Sequence, residues 1–72
     1  MGFYHCVLET RNQVFIVEKR FRENSIPCEL KHISYSLTKD LCNLTVKFDD
    51  RYYDKAIEIL KKLNFPGYKV IR

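Results

Sequence analysis

The residue most able to take part in chemistry is Cys42. It lies where a polar segment meets a segment in which apolar and polar residues alternate. Cysteine reacts as the thiolate, which nearby positive charge or a helix N-terminus favours. Lys39 would therefore promote reactivity, whereas Asp40 would oppose it. The structural alternative is that Cys42 is a small buried residue, because it is in phase with the apolar positions that follow it. The residues themselves leave both interpretations open.

The other soft or titratable side chains favour structural roles. Cys6 and Cys28 fall in the middle of strand-like segments, where a cysteine is usually a buried apolar residue. His5 and His32 have no second ligand two or four positions away. Three cysteines without C-x-x-C spacing indicate neither a disulfide framework nor a structural zinc site. We therefore expect no metal and no cofactor.

Length and charge restrict the classes of protein that fit. Seventy-two residues allow one domain, 1–72, with one small core. The net charge of +4 is spread along the chain rather than clustered, which argues against a nucleic-acid partner. No apolar run is long enough to cross a membrane, and no signal peptide is visible. An odd number of unpaired cysteines fits a reducing cytoplasm. A carrier or binding module fits this size better than a complete enzyme.

The first half of the chain predicts a strand, a helix and a strand. Residues Phe3–Glu9 favour a strand with Tyr4, Cys6 and Leu8 on the core face. Thr10 is placed to cap a helix over Arg11–Asn24, and its apolar stripe is Val14, Val17 and Phe21. After Pro27 the alternation predicts a half-buried strand over Cys28–Ser34.

The second half repeats the order strand, helix, strand. Cys42–Phe48 alternates cleanly between apolar and polar residues, as a strand with one buried face does. Asp49 or Asp50 is predicted to cap a helix that Asn64 closes. Its predicted apolar stripe is Tyr53, Ala56, Ile57, Leu60 and Leu63. A turn at Pro66-Gly67 leads to a last strand, Tyr68–Ile71.

This element order, βαββαβ, predicts an α+β fold. Two interleaved right-handed crossovers give a four-stranded antiparallel sheet of order 4-1-3-2 with both helices on one face, the ferredoxin-like sandwich. In that arrangement the start of strand three lies beside the end of strand one, where the first helix begins. Thr10, Arg11 and Asn12 would then place a helix N-terminus near Cys42, and this would support a thiolate together with Lys39.

The same segments resemble a known family. T-R-N-Q-V-F-I-V-E-K-R-F-R-E-N-S-I-P-C-E-L, H-I-S-Y-S-L-T-K-D-L-C-N-L-T-V-K-F and D-K-A-I-E-I-L-K-K-L are similar to the small bacterial selenium/sulfur carrier-like proteins, a domain of unknown function. The resemblance covers nearly the whole chain, although Asn43 stands where that family has glycine. It implies a cytoplasmic sulfur or selenium carrier that forms a cysteine persulfide at Cys42 and works with a partner protein as donor or acceptor.

The alternative function is a non-catalytic regulatory module that binds RNA or protein through the sheet face away from the helices. On the predicted register that face carries Phe3, His5, Val7, Lys31, Lys47 and Lys69. The alternating aromatics and glycines of an RNA-recognition strand are missing from strand three. Apolar side chains left on this face, among them Phe3 and Val7, also predict a homodimer through it.

Overall fold

The computed structural model describes residues 2–33 and 43–72, which form four strands and two α-helices in the order βαββαβ. The first half contains β1 (Phe3–Val7), α1 (Arg11–Glu23) and β2 (Cys28–His32). The second half contains β3 (Leu44–Asp49), a 3-10 turn (Asp50–Tyr52), α2 (Tyr53–Leu63) and β4 (Lys69–Ile71). The strand order is β2-β3-β1-β4 with antiparallel neighbours. This is the predicted order 4-1-3-2 read from the other edge, so the α+β fold is confirmed.

Helix α1 begins where its cap predicts. The Thr10 hydroxyl accepts a hydrogen bond from the Gln13 backbone N–H at 3.2 Å, and the Gln13 side-chain oxygen accepts from the Thr10 N–H at 3.3 Å. This reciprocal capping box satisfies N–H groups that a helix start otherwise leaves unpaired. The predicted stripe of Val14, Val17 and Phe21 is fully buried. The helix ends at Glu23, and Asn24 is its cap rather than its last residue.

Helix α2 starts later than the sequence predicts, because a 3-10 turn precedes it. Asp49 caps that turn by accepting a hydrogen bond from the Arg51 N–H at 3.0 Å, and this bond lowers the pKa of the Asp49 carboxyl. The α-helix itself begins at Tyr53 without a side-chain cap. It ends as predicted at Asn64, whose φ of 55° is left-handed. The predicted capping role of Asp49 is thus corrected from the helix to the turn.

Both helices cover the same face of the sheet, where they enclose the core with inward residues of β1 and β3. The rings of Phe21 and Phe48 meet edge to face at 5.4 Å between centroids, and Tyr4 stacks on Phe48 at 5.9 Å. In α2 the buried residues are Ala56, Ile59 and Leu60. The predicted stripe included the first and last of these and missed Ile59. Tyr53, which it included, is 38% exposed.

Strand boundaries differ from the prediction by one or two residues. β1 ends at Val7 rather than Glu9, because the N–H groups of Glu9 and Thr10 donate to the Gln13 side chain at the start of α1. β4 begins at Lys69 rather than Tyr68. β2 ends at His32 and β3 begins at Leu44. The predicted ends of those two strands, Ser34 and Cys42, lie outside the described residues.

Candidate functional site on the outer sheet face

The sheet face opposite the helices, here called the outer face, brings together side chains from all four strands. The register pairs His5 with Lys47 on one side and with Ile71 on the other. The neighbouring row contains Lys69 opposite Val7, and Thr45 opposite Lys31. Because directly paired residues project to the same side of a sheet, these seven side chains share one face. The six residues predicted for this face, including Phe3, are therefore placed on it.

Val7 is a correction to the predicted face. We expected its side chain to be left in water, but it is 1% exposed. Thr45, which the alternation placed outward and polar, is 0% exposed. Only Phe3, 50% exposed, remains an exposed large hydrophobic residue among the six. The apolar area on which a face-to-face homodimer depends is thus smaller than expected, and that dimer stays a prediction.

Thr45 is buried without an unsatisfied polar atom, because its hydroxyl bonds in two directions. It donates to the Lys31 carbonyl oxygen at 2.8 Å. Its oxygen also lies 3.4 Å from Nδ1 of His5. Since the hydroxyl proton is used at Lys31, the oxygen is left to accept, which favours the His5 tautomer with a proton on Nδ1. The His5 ring is thereby held in a defined orientation on the outer face. Sequence reasoning missed this contact because it joins residues 40 positions apart.

His5 also reports the electrostatic character of the outer face. Its pKa is lowered from the ordinary value of 6.5, first by partial burial and then by the positive charges of Lys47 and Lys31. A cation near an imidazole disfavours a second positive charge. His5 is therefore biased towards its neutral form, and the surface around it is favourable for a negatively charged group.

The three outer-face lysines are not equivalent. Lys47 forms an ion pair with Glu29 at 3.4 Å and lies over the Phe3 ring, 4.3 Å from its centroid. The ion pairs formed between described residues involve neither Lys31 nor Lys69. Three strand spacings separate these two lysines, about 14 Å across the sheet. The outer face is thus flanked by two exposed lysines, with Lys47 and His5 between them.

A groove of about 400 Å³ opens at one corner of the sheet beside Phe3 and Pro27. Both signs of charge line it: Lys47 faces Glu29, and Arg51 lies 3.5 Å from the Asp49 carboxylate. Because these charges neutralise one another locally, the groove favours neither anions nor cations. The positive charge of the outer face that no ion pair between described residues balances resides at Lys31 and Lys69 instead.

The predicted thiolate site is described only in part, since Cys42 and Lys39 lie outside the described residues. The capped start of α1 at Thr10, Arg11 and Asn12 is described, and Arg11 and Asn12 are exposed. Antiparallel pairing places the start of β3 at the end of the sheet where β1 finishes and α1 begins. The topology brings the first residues of β3 to that end of the sheet, whereas both the position and the chemistry of Cys42 stay a prediction.

The two described cysteines are both held as thiols. Cys6 is 0% exposed in the core, and burial raises its pKa to about 12. Partial burial also raises the pKa of Cys28, against the smaller opposing effect of Arg22. The Cys28 thiol donates to the Glu18 carbonyl oxygen at 3.8 Å. Neither environment favours a nucleophile.

Comparisons with known proteins identify no relative: the chain matches no family model, no curated protein and no solved structure. The resemblance to the selenium/sulfur carrier-like family therefore stays a prediction. In the part of the chain that the structure describes, no three His, Cys, Asp or Glu side chains are grouped as metal ligands. Neither described helix is both long and apolar enough to cross a bilayer.

Proposed function

We propose that the protein is a non-catalytic binding module that holds an acidic segment of a partner protein on its outer face. The observation that carries the proposal is that His5, held by Thr45, lies among lysines from three strands on one face of the sheet. Lys31, Lys47 and Lys69 surround His5 and Thr45 in adjacent rows. Complementary charge of this kind steers association and fixes the register of a partner.

The outward residues of the central strands favour a protein partner over RNA. Single-stranded RNA is held on a sheet of this type by aromatic side chains that stack on bases. The central strands present His5 and Lys47 instead, while Val7 and Thr45 on the same face are buried. Phe3 lies at the start of β1, where Lys47 already covers its ring. An acidic peptide needs cations and hydrogen-bonding groups but no stacking platform.

The proposal predicts that K47E/K69E weakens binding of a decaglutamate peptide by about tenfold or more, because two attractive contacts become repulsive. A matched control, K55E/K62E, makes the same change in net charge on exposed positions of α2. We expect that control to stay within about threefold of the parent protein. Titration by isothermal calorimetry measures both, with decaglutamine as the uncharged peptide.

Three outcomes would contradict the proposal: no binding of decaglutamate, equal weakening by both double variants, or tighter binding of a uridine decamer than of the peptide. Equal weakening would show that net charge alone is responsible. Preference for the uridine decamer would favour RNA as the partner. Cys42→Ser should leave peptide binding unchanged, which separates this function from one that depends on the thiol.

A second candidate function, the sulfur or selenium carrier acting through Cys42, is favoured by one specific observation. The sheet topology brings the start of β3 to the same end as the capped N-terminus of α1. A persulfide or thiolate formed by Cys42 would be stabilised there by the partial positive charge of the helix start. Preferential alkylation of Cys42 over the other two cysteines near pH 7 tests this candidate.

A further inference from the structure

Strand β2 is an edge of the sheet. The backbone N–H and C=O groups of its successive residues point alternately towards β3 and away from it. The Ile33 N–H donates to the Asn43 carbonyl oxygen at 3.0 Å, so Ile33 directs its backbone groups towards the β3 side. Residues of an antiparallel strand alternate in this respect. Glu29 and Lys31 therefore also bond inwards, whereas Cys28, Leu30 and His32 direct their N–H and C=O groups away from β3. The Arg22 guanidinium reaches the Cys28 carbonyl at 3.2 Å, as an outward group allows.

We propose that two copies of the chain pair antiparallel through their β2 edges, in the register centred on Leu30, to form one eight-stranded sheet. This register places Leu30 opposite Leu30 of the second copy, and Cys28 opposite His32. These are the residues whose backbone groups are directed outwards, so the hydrogen-bonding alternation matches across the junction. The Cys28 carbonyl, which accepts from Arg22 of its own chain, would also accept from the His32 N–H of the second copy. A shift by one residue would place an inward-bonded residue opposite an outward-directed one.

The charges of β2 are self-complementary in the same register. Glu29 lies opposite Lys31 of the second copy, and the two-fold symmetry repeats the pair. The Glu29 side chain pairs with Lys47 of its own chain but is 62% exposed, and Lys31 is exposed, so both reach the edge without rearrangement of the core. Opposite charges paired directly across strands are stabilising, whereas like charges are destabilising. No other register joins both Glu29–Lys31 pairs.

Helix α1 supplies an independent apolar contact. Phe15 is 47% exposed and lies at the i, i+3, i+7 spacing with Glu18 and Arg22, whose atoms touch Cys28. The short connection from α1 to β2 makes the two elements antiparallel. Glu18 lies beside Cys28, so Phe15, about one turn earlier in α1, lies further along β2, towards Leu30. A two-fold axis at Leu30 therefore brings Phe15 of each copy towards the junction, where an exposed aromatic ring gains by burial.

The alternative ways of pairing two copies lack this complementarity. A face-to-face arrangement would bring Lys31, Lys47 and Lys69 of one copy towards those of the other. Pairing through β4 about its central Val70 would place Lys69 opposite Ile71, with no charge partner. β4 also has three residues against five in β2. The β2 edge is the better junction on charge and on length.

Charge exchange tests the proposal by sedimentation equilibrium between about 1 and 200 µM, without any peptide. The parent chain should dimerise, and Glu29→Lys or Lys31→Glu alone should raise the dimer Kd by about tenfold, because both symmetric pairs become repulsive. The double variant E29K/K31E restores both pairs and should return the Kd to within about threefold of the parent. Glu58→Lys, the same charge change on exposed α2, should leave it unchanged.

The proposal would be overturned by a monomer throughout that range, or by a dimer Kd that Glu29→Lys does not change. It would also be overturned if the double variant failed to dimerise although its circular dichroism spectrum matched that of the parent. Amide exchange provides a second readout. The N–H groups of Leu30 and His32 should exchange more slowly at high than at low protein concentration, because only the dimer bonds them. The test of the proposed acidic-peptide site is separate from this result, since it changes Lys47 and Lys69 and leaves unchanged Lys31, the residue that both proposals use.

Discussion

Phe48→Ala should strongly lower the free energy of unfolding at 25 °C. The ring is 1% exposed, contacts Phe21 edge to face and is stacked by Tyr4, so its removal leaves a cavity that three elements share. Truncations of this kind cost about 3–5 kcal/mol. A chain of 72 residues has a total stability of only about 4–11 kcal/mol. The substitution therefore removes a large share of the stability, and urea unfolding followed by circular dichroism measures it.

Phe3→Ala provides the matched control, since it deletes the same ring from a position that is 50% exposed. Its cost should stay near the ~0.5–1 kcal/mol of an exposed cation–π contact with Lys47, with a modest term for lost apolar burial. If the two alanine variants lost equal stability, Phe48 would not be the centre of the core that the structure describes.

Alkylation with iodoacetamide at pH 7 should modify Cys42 well before Cys6 or Cys28. Burial raises the pKa of Cys6 to about 12, so that thiol stays protonated at pH 7, and it is fully buried as well. The raised pKa of Cys28 slows that thiol too. Mass mapping of peptides over a time course identifies the order, and Cys28→Ser removes the nearer competitor as a control.

The carrier candidate requires more than this order of reaction. The rate at Cys42 should rise with a midpoint below that of a free thiol, about 8.5, because a helix N-terminus and Lys39 would stabilise the thiolate. A midpoint at or above the free-thiol value, or earlier modification of Cys28, would contradict the carrier function. The outer-face binding function would be untouched by either result.

The architecture could be predicted because each helix and strand has a recognisable local sequence pattern. Thr10 before an apolar stripe predicts the start of α1, and the clean alternation after Cys42 predicts the core face of β3. The order of elements then determines the sheet topology, because right-handed crossovers leave few alternatives. Strand ends were less well predicted, since the end of β1 depends on Gln13, a residue in the next element.

The candidate site was less predictable than the fold. Alternation places Val7 and Thr45 on the outer face but does not say whether neighbours cover them, and both are buried. The hydrogen bond from Thr45 to the Lys31 carbonyl and its contact with His5 arise only when three strands are aligned. The missed burial of Ile59 in α2 has a similar cause, because it depends on what packs against the helix.

The most direct test of the proposed acidic-partner site is the pKa of His5, followed by NMR of its ring protons with and without decaglutamate. Partial burial, and then the charges of Lys47 and Lys31, lower that pKa in the free protein, and bound carboxylates would oppose the effect of the two lysines. His32, on the helix side of β2 by alternation, provides the internal reference. We predict that the peptide raises the pKa of His5 and shifts the ring-proton resonances of His32 less than those of His5. An unchanged His5 pKa at saturating peptide, or equal movement of both histidines, would contradict it.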